Sequence, residues 1–428
     1  MNAPTDPFDP APPATAAAPA AGLLRRRPVT RRSFVCQCGR PIFFRNSRCL
    51  ACLRPLGYEP ESGEMLALEE ADASGLWRAS GAHAAKVPGR WRRCANLDTP
   101  SGCNWLLPAP PDARGQEPPP APDAGGDALA PLKHQCRACR LNRTVPDASD
   151  AAGALWWARV EQAKRRLVSS LIALGLPVAS RVAEDPARGL AFDLLRPAPN
   201  QPVSTGHADG VITLNLEEAD DVQRERTRVQ MKETYRTLLG HLRHEVGHYY
   251  WQRLVDGGRW HAPFRELFGD ERLDYAAALE RHYREGPAPD WATRCVSPYA
   301  SAHPWEDWAE TWAHYLHILD TLDTATSFGL HRQRADGSML PFSAIVLHGG
   351  REARDGPPFL PFINAWIELT AVMNELARSM GQADLYPFVL SAPAVTKLHF
   401  VHQVIYARRE RRASPRSSTA TGTRRAQD

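Results

Sequence analysis

Eight of the nine cysteines in this 428-residue chain precede residue 140. No secretion signal is expected before them, because Arg25, Arg26 and Arg27 follow the only short apolar patch at the N-terminus. A cytoplasmic protein is therefore expected, and the cytosol keeps thiols reduced, so clustered cysteines there point to metal thiolates rather than disulfides. Cys36-Gln-Cys38 is followed after a short interval by Cys49-Leu-Ala-Cys52. Two close pairs joined by a hairpin can give four thiolates to one tetrahedral zinc. Cys94, Cys103 and the pair Cys136-Arg-Ala-Cys139 form a second set, interrupted by a proline-rich insertion, in which His134 could replace one thiolate. Both sets predict closed structural zinc sites, which hold a fold together and leave no coordination position for catalysis. Lys+Arg 52 against Asp+Glu 48 gives a formal charge of +4. Each zinc with four thiolates carries about −2, so two such sites cancel the basic excess.

Composition divides the chain into four parts. Residues 1–33 are mostly Ala, Pro and Arg and predict a disordered arm. Residues 34–145 hold the cysteines, with Pro108-Ala109-Pro110-Pro111 and Pro118-Pro119-Pro120-Ala121-Pro122 reading as a stiff surface loop. In this part metal, rather than an apolar core, is expected to organise the chain. Residues 150–406 have ordinary globular composition, and residues 407–428 form a basic, Ser/Thr-rich tail. No apolar stretch reaches the roughly 18 residues of a membrane span. Apolar periodicity predicts one long helix ending near Val255 at Gly257-Gly258, and others over about Phe264–Arg284, Trp305–Leu322, Phe359–Met380 and Pro393–Tyr406. Gly210 to Leu216 alternates as a half-buried strand, with Ile212, Leu214 and Leu216 on one face and Val211, Thr213 and Asn215 on the other; a weaker strand candidate lies around Gly189–Leu195.

Inside the first long helix stands His244-Glu245-Val246-Gly247-His248. Histidines at i and i+4 stack on one helical face, about 6 Å apart along the axis, and can share one ion. Downstream, Glu306 and Glu310 lie one turn apart in Trp305-Glu306-Asp307-Trp308-Ala309-Glu310, while Asp307 turns away. Two helices can thus present His, His and Glu to one zinc with a position left for water, Glu245 standing by as base. Glu310 then supports a ligating histidine. His241 is too far along the helix to share that ion and reads as a packing or supporting residue; His303, His314 and His317 read as packing or hydrogen-bonding residues unless they meet substrate. Tyr249, Tyr250, Trp251, Trp305, Trp308, Trp312 and Tyr315 read as a core between the two helices.

These residues carry a resemblance. The pair of motifs resembles the gluzincin class of zinc metallopeptidases, and Glu-x-x-Ala-Glu is similar to the pattern in the anthrax lethal factor protease domain and the Mlc titration factor A peptidases. A cysteine-rich module followed by such a domain resembles the bacterial family of zinc-binding metallopeptidases with an N-terminal zinc ribbon. The resemblance implies an α+β chain: a zinc-ribbon module with two four-cysteine sites, then a mostly helical zincin-like domain with a small β-sheet. It implies His244, His248 and Glu306 as ligands of a catalytic zinc, Glu245 as general base, Glu310 as the supporting acid and Tyr299 as the residue that steadies the transition state. It also implies that a peptide or protein substrate adds to the strand carrying Val211 and Thr213. The expected complement is one catalytic and two structural zinc ions. The competing reading is a zinc-ribbon interaction protein, binding nucleic acid or a protein partner on a non-catalytic scaffold. The arginine-rich ends favour it modestly, but the ribbon region lacks regular basic and aromatic interleaving.

Overall fold

A computed structural model describes residues 28–72, 75–109, 131–147, 149–231, 233–330, 342–343 and 359–413. The expected arm before residue 28, most of the proline-rich loop and the tail from residue 414 lie outside these residues.

The N-terminal part begins with a two-stranded antiparallel knuckle, β1 (Phe34–Val35) and β2 (Pro41–Ile42), whose Phe34 and Ile42 point inward. It leads into an antiparallel sheet of β3 (Leu56–Glu59), β4 (Glu64–Glu70), β5 (Trp77–Ala79), β6 (Trp91–Arg93) and β7 (Leu106–Pro108), in that spatial order. The short helix α1 (Ala82–Lys86) connects β5 to β6. Met65, Leu66, Ala67 and Leu68 are all buried, so β4 is covered on both faces. Tyr58 and Trp105 are buried with ring centroids 5.0 Å apart. The expectation that metal alone organises this part is corrected: an apolar core does so as well. Nor is the whole of residues 1–33 an arm. The Thr30 and Val29 amides donate to Asp323, and the buried Arg32 guanidinium donates to Asp320.

The second part opens with α2 (Ala151–Ala173), capped by Asp150, whose carboxylate accepts from the Ala152 and Gly153 amides. Its sheet has the order β10 (Gly206–Ala208), β11 (Val211–Asn215), β9 (Ala191–Leu195), β8 (Asn142–Thr144), with β9 parallel to both neighbours and β10 antiparallel to β11. β8 follows the second cysteine pair directly. A boundary at residue 145 therefore cuts this sheet, and the second cysteine set sits at the joint of the two parts.

Val211 and Thr213 do not form an open edge. β11 pairs with β10 on one side and β9 on the other, leaving no backbone there for a substrate strand. The outer strand is β10, turned back through Asp209 and Gly210, both at positive φ.

The long helix expected to end near Val255 is two. α3 (Asp221–Gln230) buries no residue, and α4 (Leu238–Leu254) restarts where the Thr237 hydroxyl accepts from the Gly240 amide. The next expected helix likewise splits into α5 (His261–Phe268) and α6 (Tyr275–Glu285), because Gly269 takes φ 104° and Asp274 caps a new start. A short α7 (Trp291–Arg294) precedes α8 (Pro304–Ser327), with Pro304 in its first turn and His303 as its cap. Helices α9 (Phe359–Ser379) and α10 (Ala392–Ala413) complete the described chain. Most of the predicted aromatics, among them Tyr249, Tyr250, Trp308, Trp312 and Tyr315, are buried in the core around α4 and α8. Among the described residues, no helix is long and apolar enough to cross a membrane.

Candidate active site

Helices α4 and α8 cross at Gly247, where the Trp308 indole donates to the Gly247 carbonyl at 2.8 Å. This contact sets the i and i+4 histidines of α4 against the first turn of α8. The His244 and His248 rings stand 4.9 Å apart, and the carboxylate of Glu306 faces both. His244 Nε2 is 3.0 Å from Glu306 Oε2, and His248 Nε2 is 3.5 Å from Glu306 Oε1. All three side chains are buried, and their ligand atoms lie within 4.8 Å of one another.

The hydrogen bonds say what these atoms suit. His244 Nδ1 meets Glu310 Oε1 at 2.7 Å, and a carboxylate only accepts, so Nδ1 carries the proton. In the neutral ring the Nε2 lone pair then faces an anionic oxygen of Glu306. A proton or a metal ion can meet both atoms there, and with His248 Nε2 as a third donor the three groups form a set that could hold one ion. Glu310 is itself held by the Ser297 hydroxyl, so the orientation of His244 is set from α8 and from the loop before it. Packing against Trp305, with centroids 4.2 Å apart, orients His248.

Glu245 points from the same face and is held by His241, whose Nε2 lies 3.2 Å from Glu245 Oε1. The other ring nitrogen of His241 donates to Glu218 Oε2 at 2.6 Å. Burial opposes a charge on His241, but Glu218 and then Glu245 outweigh it and push the imidazole up to about 9. Glu218 is tied in turn to Arg236 and to Thr205, the residue before β10. A half-buried chain of Glu218 and His241 thus leads to the buried Glu245 and holds it in place.

Tyr299, in a short turn before α8, lies with its ring 5.9 Å from that of His244. Burial and then the nearby Glu306 hold its hydroxyl well above the usual tyrosine range. A second phenol, absent from the sequence reading, comes closer to the ligand set: Tyr275, at the start of α6, donates to Glu306 Oε1 at 2.7 Å. His207, on the outer strand β10, is a further addition. It stacks at 6.2 Å from His248, its Nε2 accepts from the Gly210 amide, and burial pushes its pKa down to about 4. Neither residue belongs to a local motif; each arrives through tertiary structure. Of the other histidines, His303 packs on Tyr275 and His282 on Tyr299 without joining the ligand set. His303 caps α8 and contacts the Leu273 carbonyl, His314 bonds the Tyr386 hydroxyl, and His317 packs against Trp366 and Tyr386.

Eight of the nine cysteines form two groups, each with its four sulfurs mutually close, and Cys295 stands outside both beside Asp307. Cys36 and Cys52 are 3.6 Å apart, Cys38 and Cys49 3.7 Å, and Cys103 and Cys136 3.5 Å. A zinc tetrahedron with bonds of about 2.3 Å has sulfur–sulfur edges of about 3.8 Å, so both groups fit that ion and exceed a disulfide by far. Arg165 of α2 donates to the Ser101 hydroxyl and carbonyl beside the second group, bringing a positive charge to its thiolates.

Comparison with known proteins agrees with this division. Residues 154–404 match the family described as "Putative zinc-binding metallo-peptidase", and residues 33–115 match a zinc-ribbon domain. Uncharacterized proteins of Mycobacterium tuberculosis and Mycobacterium bovis are each 43% identical over 376 residues, covering 87% of this chain and 95% of theirs. No solved structure matches the chain significantly. By the span of that family match and the likeness to these relatives, the chain belongs to the family of zinc-binding metallopeptidases with an N-terminal zinc ribbon.

Proposed function

We propose that the protein is a zinc-dependent, gluzincin-type peptidase that hydrolyses peptide or protein substrates in the cytosol. The observation that carries this reading is the convergence of His244 Nε2, His248 Nε2 and the Glu306 carboxylate, with Glu245 on the same side and held by His241. His244, His248 and Glu306 would hold the ion, which when bound supplies Lewis-acid polarisation of a scissile carbonyl and makes water acidic enough to react near neutral pH. Glu245 takes a proton from that water and passes it to the departing amine. His241 keeps one oxygen of Glu245 engaged, so the other is free for this transfer. Tyr275 and Tyr299 offer phenolic donors near the place where carbonyl charge develops. The outer strand β10, rather than β11, offers backbone groups to an extended substrate. The two cysteine groups would hold one structural zinc each, giving three ions per chain. Reconstituting the metal-free protein with zinc and following cleavage of a mixed peptide pool by mass spectrometry tests the reading. Zinc-dependent new termini are expected, and an inert zinc-loaded protein would refute it.

A further inference from the structure

A cavity of about 170 Å³ opens beside α4, just past His248. Arg181, Arg188, Asp209, Tyr249, Gln252 and Arg253 line it. Tyr249 follows His248 directly, Gln252 lies one helical turn further, and Asp209 belongs to the turn that ends β10. His207 links the two places: its ring is 6.2 Å from His248 and 6.4 Å from Tyr249, and it accepts from the Gly210 amide in that same turn. A peptide lying along β10 beside the candidate metal ligands would therefore run on into this cavity.

Its walls carry three guanidinium groups and one carboxylate. Asp209 pairs with Arg181 at 2.8 Å, but its side chain is 85% exposed, so water screens that pair and a competing anion can displace it. Arg253 is less well matched. Its Nη1 is buried with no hydrogen-bond partner, and its Nη2 comes no nearer than 4.0 Å to the Asp185 carboxylate. The planar guanidinium lies over the Tyr249 ring, 6.0 Å from its centre, which fixes its position. Nη1 is closed off from solvent, so the atom a carboxylate can reach is Nη2, which Asp185 holds only loosely and to which a carboxylate can make a charge-assisted hydrogen bond. Gly210 keeps the wall thin, since a Cβ there would stand 2.6 Å from the Gly189 carbonyl oxygen and 3.1 Å from Arg181 Nη1.

We propose that this arginine-lined cavity is a specificity subsite that takes a carboxylate of the substrate peptide, from an acidic side chain or a free C-terminus. The inference rests on the peptidase reading. Its test uses the full zinc-loaded chain and matched peptides that carry Glu, Gln or Lys at each position in turn, each with a free or an amidated C-terminus. One carboxylate-bearing form should exceed its neutral counterpart by roughly 10- to 100-fold in kcat/KM, as expected for a charge-assisted hydrogen bond. The Glu/Gln comparison and the free/amidated comparison identify the source. Arg253→Glu should turn the preference toward Lys, and Arg181→Gln should narrow it. Binding of the uncleaved peptides to the Glu245→Gln protein, followed by fluorescence anisotropy, reads the subsite apart from turnover. Cleavage of all forms within twofold by the wild type would overturn the subsite and leave the peptidase reading standing. A preference that survives unchanged in Arg253→Glu would overturn it too. If no peptide is cleaved the peptidase reading fails, and equal binding of all forms would then dispose of the subsite as well.

Discussion

Gly247 of α4 and Ala309 of α8 meet backbone to backbone: a Cβ on Gly247 would stand 3.1 Å from the Ala309 Cα and 3.3 Å from its carbonyl oxygen. This approach gives the small residues in the two motifs their physical meaning. It lets α8 come near enough for Glu306 to reach both histidines. Gly247→Ala should cost about 1–3 kcal/mol of stability by overpacking. Because the strain falls on the helix crossing, zinc affinity at the histidine site should weaken while both cysteine sites keep their ions. Urea denaturation and titration against a competing chelator measure the two effects.

His241 makes a separate prediction. Its two ring nitrogens bridge Glu218 and Glu245, so His241→Ala frees the base to rotate. Turnover should fall by roughly 10- to 100-fold, as for other partners that orient a catalytic site, with KM and zinc content little changed. Glu218→Gln should move kcat in the same direction, and steady-state kinetics with metal analysis of both variants checks this.

The buried Asp320 carboxylate accepts from Arg32, Arg166 and Arg243, joining the N-terminal segment, α2 and α4 to α8. Burial alone would raise its pKa, but these three arginines outweigh burial and hold it below the usual carboxylate range. A carboxylate depressed on folding contributes stability above its unfolded pKa of about 3.9, and that contribution is lost as pH falls below this value. Asp320→Asn should cost on the order of 3–5 kcal/mol near neutral pH by leaving buried guanidinium charge uncompensated. It should also flatten the acid limb of the stability curve. Urea melts across pH 3–7 for both proteins test this.

Metal removal should separate the sites. Wild type is expected to hold three zinc ions, His248→Ala two, and Cys36→Ser two. Cys136→Ser should lose the ion at the joint, where Cys136 and Cys139 lead into β8, and so loosen the sheet that carries β10. Plasma emission spectrometry gives the counts, and hydrogen exchange over β8 and β9 reports the loosening.

What could be read before folding was whatever depends on short spacings. The i and i+4 histidines, the two acids of α8 and the paired cysteines are local patterns, and each cluster assembles from them. Partners that meet through tertiary structure left no such trace. Tyr275 reaches Glu306 from the start of α6, and Glu218 reaches His241 from the turn after β11. Alternation in Val211 to Leu216 marks a strand with one buried face but says nothing of its neighbours, so it cannot show that β10, and not β11, lies at the edge. The ribbon core is hard to read for a related reason: Met65 to Leu68 is a continuous apolar run, which lacks the alternation of a strand with one open face.

Glu245→Gln tests the central claim most directly, because it removes the proton acceptor and leaves His244, His248 and Glu306 untouched. Zinc content and peptide cleavage would be measured on the same purified sample. The expected result is a full complement of zinc with cleavage reduced by roughly 10²- to 10⁴-fold, the usual contribution of a general base. Cleavage at the wild-type rate by the zinc-loaded variant would contradict the account.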